Sequence, residues 1–122
     1  MTIVLSNDST DPIYTQIYDQ ISRQILSGEL KADTQLPPIR TVAADLRISV
    51  IPVKMAWEEL DRNGFIKTVV GKGTFVAQLK DEQITEKKSE TLKKLVADFC
   101  GRVKMEGTSL DEVLELIKAE YK

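Results

Sequence analysis

Apolar residues recur at helical spacing in five separate stretches of the chain, with polar residues between them. The first stretch follows Asp11 and Pro12, which predict a helix start because aspartate suits the N-cap and proline suits the first turn. Gly28 predicts its end. Between these signals isoleucine returns every fourth residue, which predicts one buried stripe, at Ile13, Ile17, Ile21 and Ile25.

The polar residues around this first helix predict contact with solvent. Residues 1–10 are polar and irregular, so we expect a frayed arm. Gln16 and Gln20 lie among the polar positions between the isoleucines, and we interpret them as part of a solvated helix face.

A short helix, a turn and a second helix are predicted between Leu36 and Asn63. Leu36 precedes two prolines, which suit the first turn of a helix. Ile48-Ser49 forms the turn, and Ser49 suits the N-cap of the second helix. That helix runs from about Val50 to Asn63. Its predicted core face consists of Val53, Ala56, Trp57 and Leu60.

A glycine-tipped hairpin follows at once. Two β-branched runs, residues 65–70 and 74–77, flank Gly71-Lys72-Gly73, a pattern typical of two strands joined by a tight turn. Helix, turn, helix and hairpin in this order predict a winged helix-turn-helix over residues 1–78, a unit that lays one helix into a DNA groove. The predicted fold class is mainly α with a small β wing, followed by a C-terminal α-helical hairpin.

Residues 79–122 predict this helical hairpin. A charged segment, residues 80–89, leads into two apolar stripes that Gly107 separates, and Ser109 with Glu112 gives the second a capping-box signature. Such a surface either folds back on the first domain or pairs with a second copy, and two-fold symmetric operators favour pairing. The predicted dimerisation residues are Leu92, Leu95, Val96, Phe99 and Val103, then Leu110, Val113, Leu114 and Ile117.

Composition argues against an enzyme. The chain has no histidine and one cysteine, Cys100, so it lacks the commonest general base, the commonest transition-metal ligand and a thiolate cluster for zinc. We therefore expect no catalytic residue, no metal and no cofactor. The chain has no apolar run of about 18 residues and no signal-peptide pattern, which predicts a cytoplasmic protein without a membrane partner.

The positions of the charged residues matter more for DNA binding than the net charge of the chain. A formal net charge of −2 is unusual for a DNA-binding domain, which is generally basic. However, three of the four acids between residues 36 and 76, namely Glu58, Glu59 and Asp61, fall late in the second predicted helix. We expect affinity for DNA that falls steeply with salt, because phosphate contacts release counterions. The basic residues of this stretch are Arg40, Arg47, Lys54, Arg62, Lys67 and Lys72.

Several separated blocks resemble the DNA-binding domain of GntR-family transcription regulators. The resemblance covers roughly residues 11–78, and the short tail is similar to that of the YtrA subfamily. It implies a homodimeric repressor that binds double-stranded, palindromic operator DNA, often that of a transporter operon. The blocks are Pro12-Ile13-Tyr14 with Gln16-Ile17, Ile-Leu-Ser-Gly-Glu-Leu at 25–30, Leu36-Pro37 with Arg40, Glu59-Leu60, Asn63-Gly64-Phe65-Ile66, and Gly-Lys-Gly-Thr-Phe-Val at 71–76.

The same resemblance implies a set of DNA contacts. Arg40 anchors the protein on DNA from the preceding helix, and Ser49 starts the recognition helix. Lys54 reaches a base edge or a phosphate, while Gly71 and Lys72 form the wing tip.

One segment departs from the family. Members commonly show Ser-Arg-x-Thr-Val, whereas this chain has Ser-Val-Ile-Pro-Val at residues 49–53. Because arginine to guanine is the commonest specific base contact, we expect fewer hydrogen bonds to bases here. We hypothesise that Val50 and Ile51 instead pack against thymine methyl groups.

Two alternatives stay open at the level of sequence. The acidic balance also suits a winged-helix module that binds protein rather than DNA, and a requirement for Arg40, Lys54 and Lys72 in DNA binding distinguishes the two. About forty residues follow the wing, too few to enclose a typical ligand pocket of roughly 300 Å³. Either an unidentified small-molecule effector binds between protomers, or the repressor has no effector.

Overall fold

The computed structural model describes residues 1–121, and within them five helices and one two-stranded antiparallel sheet. This architecture confirms the predicted fold class. The elements are, in order, α1 (Ile13–Leu26), α2 (Ile39–Leu46), α3 (Val50–Arg62), β1 (Ile66–Val69), β2 (Gly73–Val76), α4 (Asp81–Met105) and α5 (Leu110–Glu120). The chain divides into two compact units, Met1–Ile84 and Thr85–Lys122.

The core of the first unit lies mainly between α1 and α3. Ile17, Ile21, Val53, Ala56 and Leu60 are fully buried there, at 0% exposure. These residues recur at helical spacing on the two helices, so burial of one stripe from each explains their packing. The predicted stripe of α1 is wrong only at its first member, since Ile13 is 40% exposed.

Trp57 lies in this core, as the sequence predicted. Only 5% of its surface is exposed. Its indole Nε1 has no hydrogen-bond partner among the described residues, so the ring acts there by its apolar area.

Helix starts were predicted with mixed success. The prediction that Asp11 caps α1 is wrong, because Pro12 occupies the N-cap position with φ −56° and ψ 153° and the helix begins one residue later. Ser49 takes the N-cap position of α3, but its side chain makes no capping hydrogen bond. Ser109 does cap α5, since its Oγ accepts a hydrogen bond from the Glu112 N–H at 3.3 Å.

The N-terminal arm is docked on α1, which contradicts the predicted frayed arm. The N–H groups of Ser6, Val4 and Thr2 donate to the side-chain oxygens of three glutamines at 2.9, 2.8 and 3.2 Å. The amide nitrogens of these glutamines donate back to the carbonyls of the same arm residues at 3.2, 2.7 and 2.6 Å. The glutamines are, in the same order, Gln16, Gln20 and Gln24.

The residue spacings of a helix and of an extended chain explain why these hydrogen bonds repeat along α1. Four residues of helix advance about 6 Å, and two residues of extended chain advance about 6.6 Å, so every fourth helix residue meets every second arm residue. Ile3 and Leu5 alternate with the bonded residues and pack against the core. The interpretation of Gln16 and Gln20 as a solvated face is therefore wrong.

The Gln20→Ala substitution is expected to lower the free energy of unfolding by about 1 kcal/mol, because it removes both hydrogen bonds to Val4. Urea unfolding measures this, and hydrogen exchange of the Val4 amide reports the arm itself. Arg23→Ala on the same helix is the control, since Arg23 is exposed and its side chain makes no hydrogen bond in the described structure. Equal stability of the two variants would contradict the prediction.

The second unit contains α5 and α4 from Thr85 onward, and neither helix has a buried residue. α4 has 25 residues and α5 has 11, and all their described side chains are at least partly accessible in the single chain. Within residues 1–121, no helix combines the length and the apolar character that a membrane span requires.

Candidate nucleic-acid interface

The helix-turn-helix consists of α2, residues 47–49 and α3. The backbone N–H of Arg47 donates to the carbonyl of Ala44 at 3.2 Å, and that of Ile48 to the carbonyl of Ala43 at 3.0 Å. This pair of bonds closes the end of α2 in a Schellman motif. Ile48 packs against the core and fixes the angle at which the chain enters α3.

The first turn of α3 presents apolar residues to solvent. Val50 is 45% exposed and Ile51 64% exposed, while Val53 behind them is fully buried. Lys54 is also exposed, one turn further along the helix. The outer side of α3 near its start therefore carries two aliphatic side chains and one cation.

Ion pairs separate the six basic residues of the central stretch into two groups. Arg62 pairs with Glu59, and Lys67 Nζ lies 3.1 Å from Asp33 Oδ1. The other four are exposed and have no ion-pair or hydrogen-bond partner for their side chains in the described structure: Arg40, Arg47, Lys54 and Lys72. Their charge is available to an anionic partner.

The wing turn places Lys72 at the tip of the hairpin. β1 and β2 pair from Ile66 with Val76 to Val69 with Gly73, and the Lys72 N–H donates to the Val69 carbonyl at 3.0 Å. Gly71 has φ +78°, and open space surrounds the position of a Cβ there. The backbone at Gly71 is thus unobstructed, which permits close approach to another molecule.

The wing is hydrogen-bonded to the segment before α2. The Leu36 N–H donates to the Thr74 carbonyl at 2.8 Å, and the Asp33 N–H donates to the Val76 carbonyl at 2.9 Å. Gln35 Nε2 donates to the Lys72 carbonyl at 2.9 Å, directly at the tip. These bonds join the wing to the start of α2, so Lys72 and Arg40 belong to one connected scaffold.

Sequence reasoning missed Gln35. It stands in a polar connector without periodicity, and its role depends on a hairpin 37 residues further along the chain. A Cβ on Gly73 would lie 2.7 Å from Gln35 Nε2, so the glycine at residue 73 makes room for this amide.

Gln35→Ala is expected to weaken DNA binding by up to about fivefold and to lower the free energy of unfolding by no more than about 1 kcal/mol. The substitution removes one hydrogen bond, worth about 1 kcal/mol, that holds the backbone of Lys72. Fluorescence anisotropy with operator DNA measures the affinity. Gln78→Ala removes a similar exposed amide with no hydrogen bond in the described structure and should bind as wild type does. Wild-type affinity of Gln35→Ala would contradict a role in seating the wing.

The predicted dimerisation residues form two largely exposed apolar faces. Val103 and Val113 are half-buried. The other seven have exposures from 41% to 70%: Leu92, Leu95, Val96, Phe99, Leu110, Leu114 and Ile117. Leu116, which the sequence analysis did not single out, is 65% exposed on the same helix as Leu114.

A cavity of about 320 Å³ lies in the first unit between the start of α2 and β2. Its wall is mainly apolar, with Arg40, Gln35 and Thr74 as polar members. In the described part of the chain, no group of three or more acidic or cysteine side chains is arranged to hold a metal ion. The lining residues are Gln35, Leu36, Pro37, Pro38, Ile39, Arg40, Trp57, Gly73 and Thr74.

Comparison with protein families and characterised sequences identifies relatives of this scaffold. Residues 13–76 match the family described as "Bacterial regulatory proteins, gntR family". The chain is 32% identical to the HTH-type transcriptional repressor YtrA of Bacillus subtilis over 90% of its own length and 85% of the repressor's. It is 38% identical to the probable rhizopine catabolism regulatory protein MocR of Rhizobium meliloti, but spans only 18% of that protein.

Solved structures of other proteins share this fold. A GntR family transcriptional regulator from Listeria monocytogenes superimposes with a TM-score of 0.75 at 25% identity, covering 92% of this chain and 97% of the regulator. A crystal structure of the AraR DNA-binding domain in complex with operator ORR3 superimposes with a TM-score of 0.52 at 27% identity, covering 63% of this chain and 93% of that domain.

Proposed function

We propose that this chain, which belongs to the gntR family of bacterial regulatory proteins, is a homodimeric cytoplasmic repressor that binds a palindromic operator. As a member of this family it is a sequence-specific, DNA-binding transcriptional regulator. We propose in addition that the protein acts as a dimer, that its operator is palindromic, that it represses transcription and that the residues named below contact DNA. No catalytic step is proposed.

Three of the four unpaired cations carry the proposal. They lie on different parts of one scaffold: Arg40 on α2, Lys54 on α3 and Lys72 on the wing. Phosphate contacts by such residues fix the register of a protein on the duplex and make its affinity dependent on salt. The operator complex of the AraR domain supports the same use of the scaffold here.

In the proposed complex α3 lies in the major groove. Lys54 contacts a base edge or a phosphate, and Ser49 offers its hydroxyl, free of a capping bond, to a phosphate. The exposed Val50 and Ile51 face thymine methyl groups, the apolar feature that the major groove offers. Gly71 and Lys72 bring the wing to the adjacent minor groove.

The second unit supplies the proposed dimer interface. Two helices with apolar faces and no buried residue need a partner surface, because exposed apolar patches of this kind mark interaction sites. A second copy is a self-complementary partner, since a two-fold axis brings the same patch together from both chains.

A small-molecule effector would act on this repressor by changing either the spacing of the two DNA-binding units or the position of the wing, because these determine whether both half-sites are contacted. The cavity beside Arg40 and Gln35 adjoins the second of these positions.

Fluorescence anisotropy with the DNA upstream of the protein's own gene tests the function. We expect tight binding to this DNA over a scrambled sequence, two protomers per site, and affinity that falls steeply with salt. Arg40→Ala, Lys54→Ala and Lys72→Ala should each weaken binding, whereas the matched control Glu58→Gln should not. Equal, weak binding to every duplex, persisting after selection from a random-sequence pool, would favour the protein-binding module instead.

A further inference from the structure

Arg47 occupies a backbone conformation that arginine seldom adopts. It follows the last residue of α2 with φ 58° and ψ 45°, in the left-handed region. This is the position of the Schellman motif that glycine usually fills, because a Cβ there crowds the following carbonyl oxygen. The turn between α2 and α3 is thus built with a strained residue.

Other helix ends in the described chain use glycine for the same purpose. Positive φ values of +86°, +76° and +71° occur at the glycines that follow α1, α3 and α4, namely Gly28, Gly64 and Gly107. Asp33 is the other non-glycine residue with positive φ among residues 1–121, and short polar side chains tolerate this region. Arginine has no short polar group that stabilises this conformation locally, so the strain at residue 47 points to a function of its side chain.

The surroundings of Arg47 indicate what this function is. The residue is exposed, and its guanidinium has no ion-pair or hydrogen-bond partner in the described structure, although Asp45 lies two residues away. It is separated from the N-cap of α3 by Ile48 alone. The first turn of α3 itself offers the exposed aliphatic residues Val50 and Ile51 and no cation.

We infer that Arg47 is a DNA-contacting residue whose guanidinium binds a phosphate beside the bases that α3 faces. The inference rests on the proposed operator binding and adds to it a contact from the turn. Arg47 stands two residues before the N-cap of α3, so its long cationic side chain starts close to the recognition helix. The charge missing from the first turn of α3 is thereby supplied by the residue that follows α2.

A substitution at Arg47 separates this role from a structural one. Arg47→Gly suits the left-handed backbone and should keep the melting temperature at or above that of wild type, by up to about 5 °C. It should nevertheless weaken binding by roughly 5- to 10-fold for each protomer and reduce the slope of log K against log salt by about 0.9 for each. A residue with a merely structural role would not lose affinity while stability is maintained.

Two further variants test the nature of the contact. Arg47→Lys keeps the charge and should retain most of the salt slope, because a phosphate accepts either cation. Arg23→Gln removes an exposed arginine from α1 and should leave the slope within about 0.3 of the wild-type value, which controls for net charge. The affinity for scrambled DNA should fall in parallel with that for the operator, since phosphate contacts are independent of sequence.

The anisotropy series distinguishes the failure of this inference from that of the function. Wild-type protein that binds the operator while Arg47→Gly binds with the same affinity and slope would overturn the contact and leave the function standing. The inference would also be overturned if Arg23→Gln lost as much affinity for the operator as Arg47→Gly, or if Arg47→Lys lost as much as Arg47→Gly. Wild-type protein that binds no duplex would overturn both.

Discussion

Replacing Phe99 by aspartate is expected to convert the proposed dimer into monomers and to weaken operator binding by at least about 100-fold. Phe99 is 41% exposed in the single chain and lies on the apolar face of α4, between Leu95 and Val103. In the dimer its ring would be buried, so an aspartate there would place a charge in an apolar interface. Linked half-site contacts are lost with the dimer, which accounts for the size of the effect.

Ala97→Asp provides the matched control. Ala97 is exposed on the same helix, and two residues of helix turn the side chain by about 200°, away from the face of Phe99. Both substitutions add one negative charge. Sedimentation equilibrium should find monomers for Phe99→Asp and dimers for Ala97→Asp. Anisotropy should find weakened operator binding for Phe99→Asp and wild-type affinity for Ala97→Asp. A dimer that survives Phe99→Asp would mean that the copies pair through another surface.

The elements were predictable where periodicity and turn residues agree. The apolar spacing along α3, with Trp57 and Leu60 on one face, gave its bounds to within one residue, and the glycines around Lys72 gave the wing. These signals are local, because a helix stripe or a tight turn is encoded within a few neighbouring residues.

The missed features depend on pairs of residues that are distant in sequence or on backbone conformation. Gln20 resembles any polar residue on a helix face until Val4 is known to lie beside it. Gln35 and Lys72 are joined only because the hairpin folds over the connector. The left-handed turn at Arg47 has no signature in the sequence, since glycine rather than arginine predicts it.

The predicted DNA contacts are brought together by this non-local structure. Arg40 and Lys72 lie 32 positions apart, and the main-chain bonds between residues 33–36 and β2 connect their elements. Sequence reasoning named the cations but not which of them are engaged in ion pairs, because Glu59 and Asp33 acquire their partners only on folding.

Leu60→Ala is expected to lower the free energy of unfolding of the first unit by about 3 kcal/mol and its melting temperature by roughly 15 °C. Leu60 is fully buried on α3, so truncation leaves a cavity in the core that orients the recognition helix. Val70→Ala is the control, since Val70 is 96% exposed and should change stability by less than about 0.5 kcal/mol. Thermal unfolding followed by tryptophan fluorescence measures both.

Adding operator DNA tests whether Leu60→Ala affects only the core and leaves the DNA-binding surface intact. Leu60 faces inward, whereas Val50, Ile51 and Lys54 lie on the outer side of the same helix. A folded fraction of Leu60→Ala should therefore bind normally, and operator at 100 times its dissociation constant should restore about 2.7 kcal/mol of the loss. Recovery of the melting temperature with operator, and not with scrambled DNA at the same concentration, is the expected result. A melting temperature within 3 °C of wild type without DNA would contradict the packing of α3 on this core.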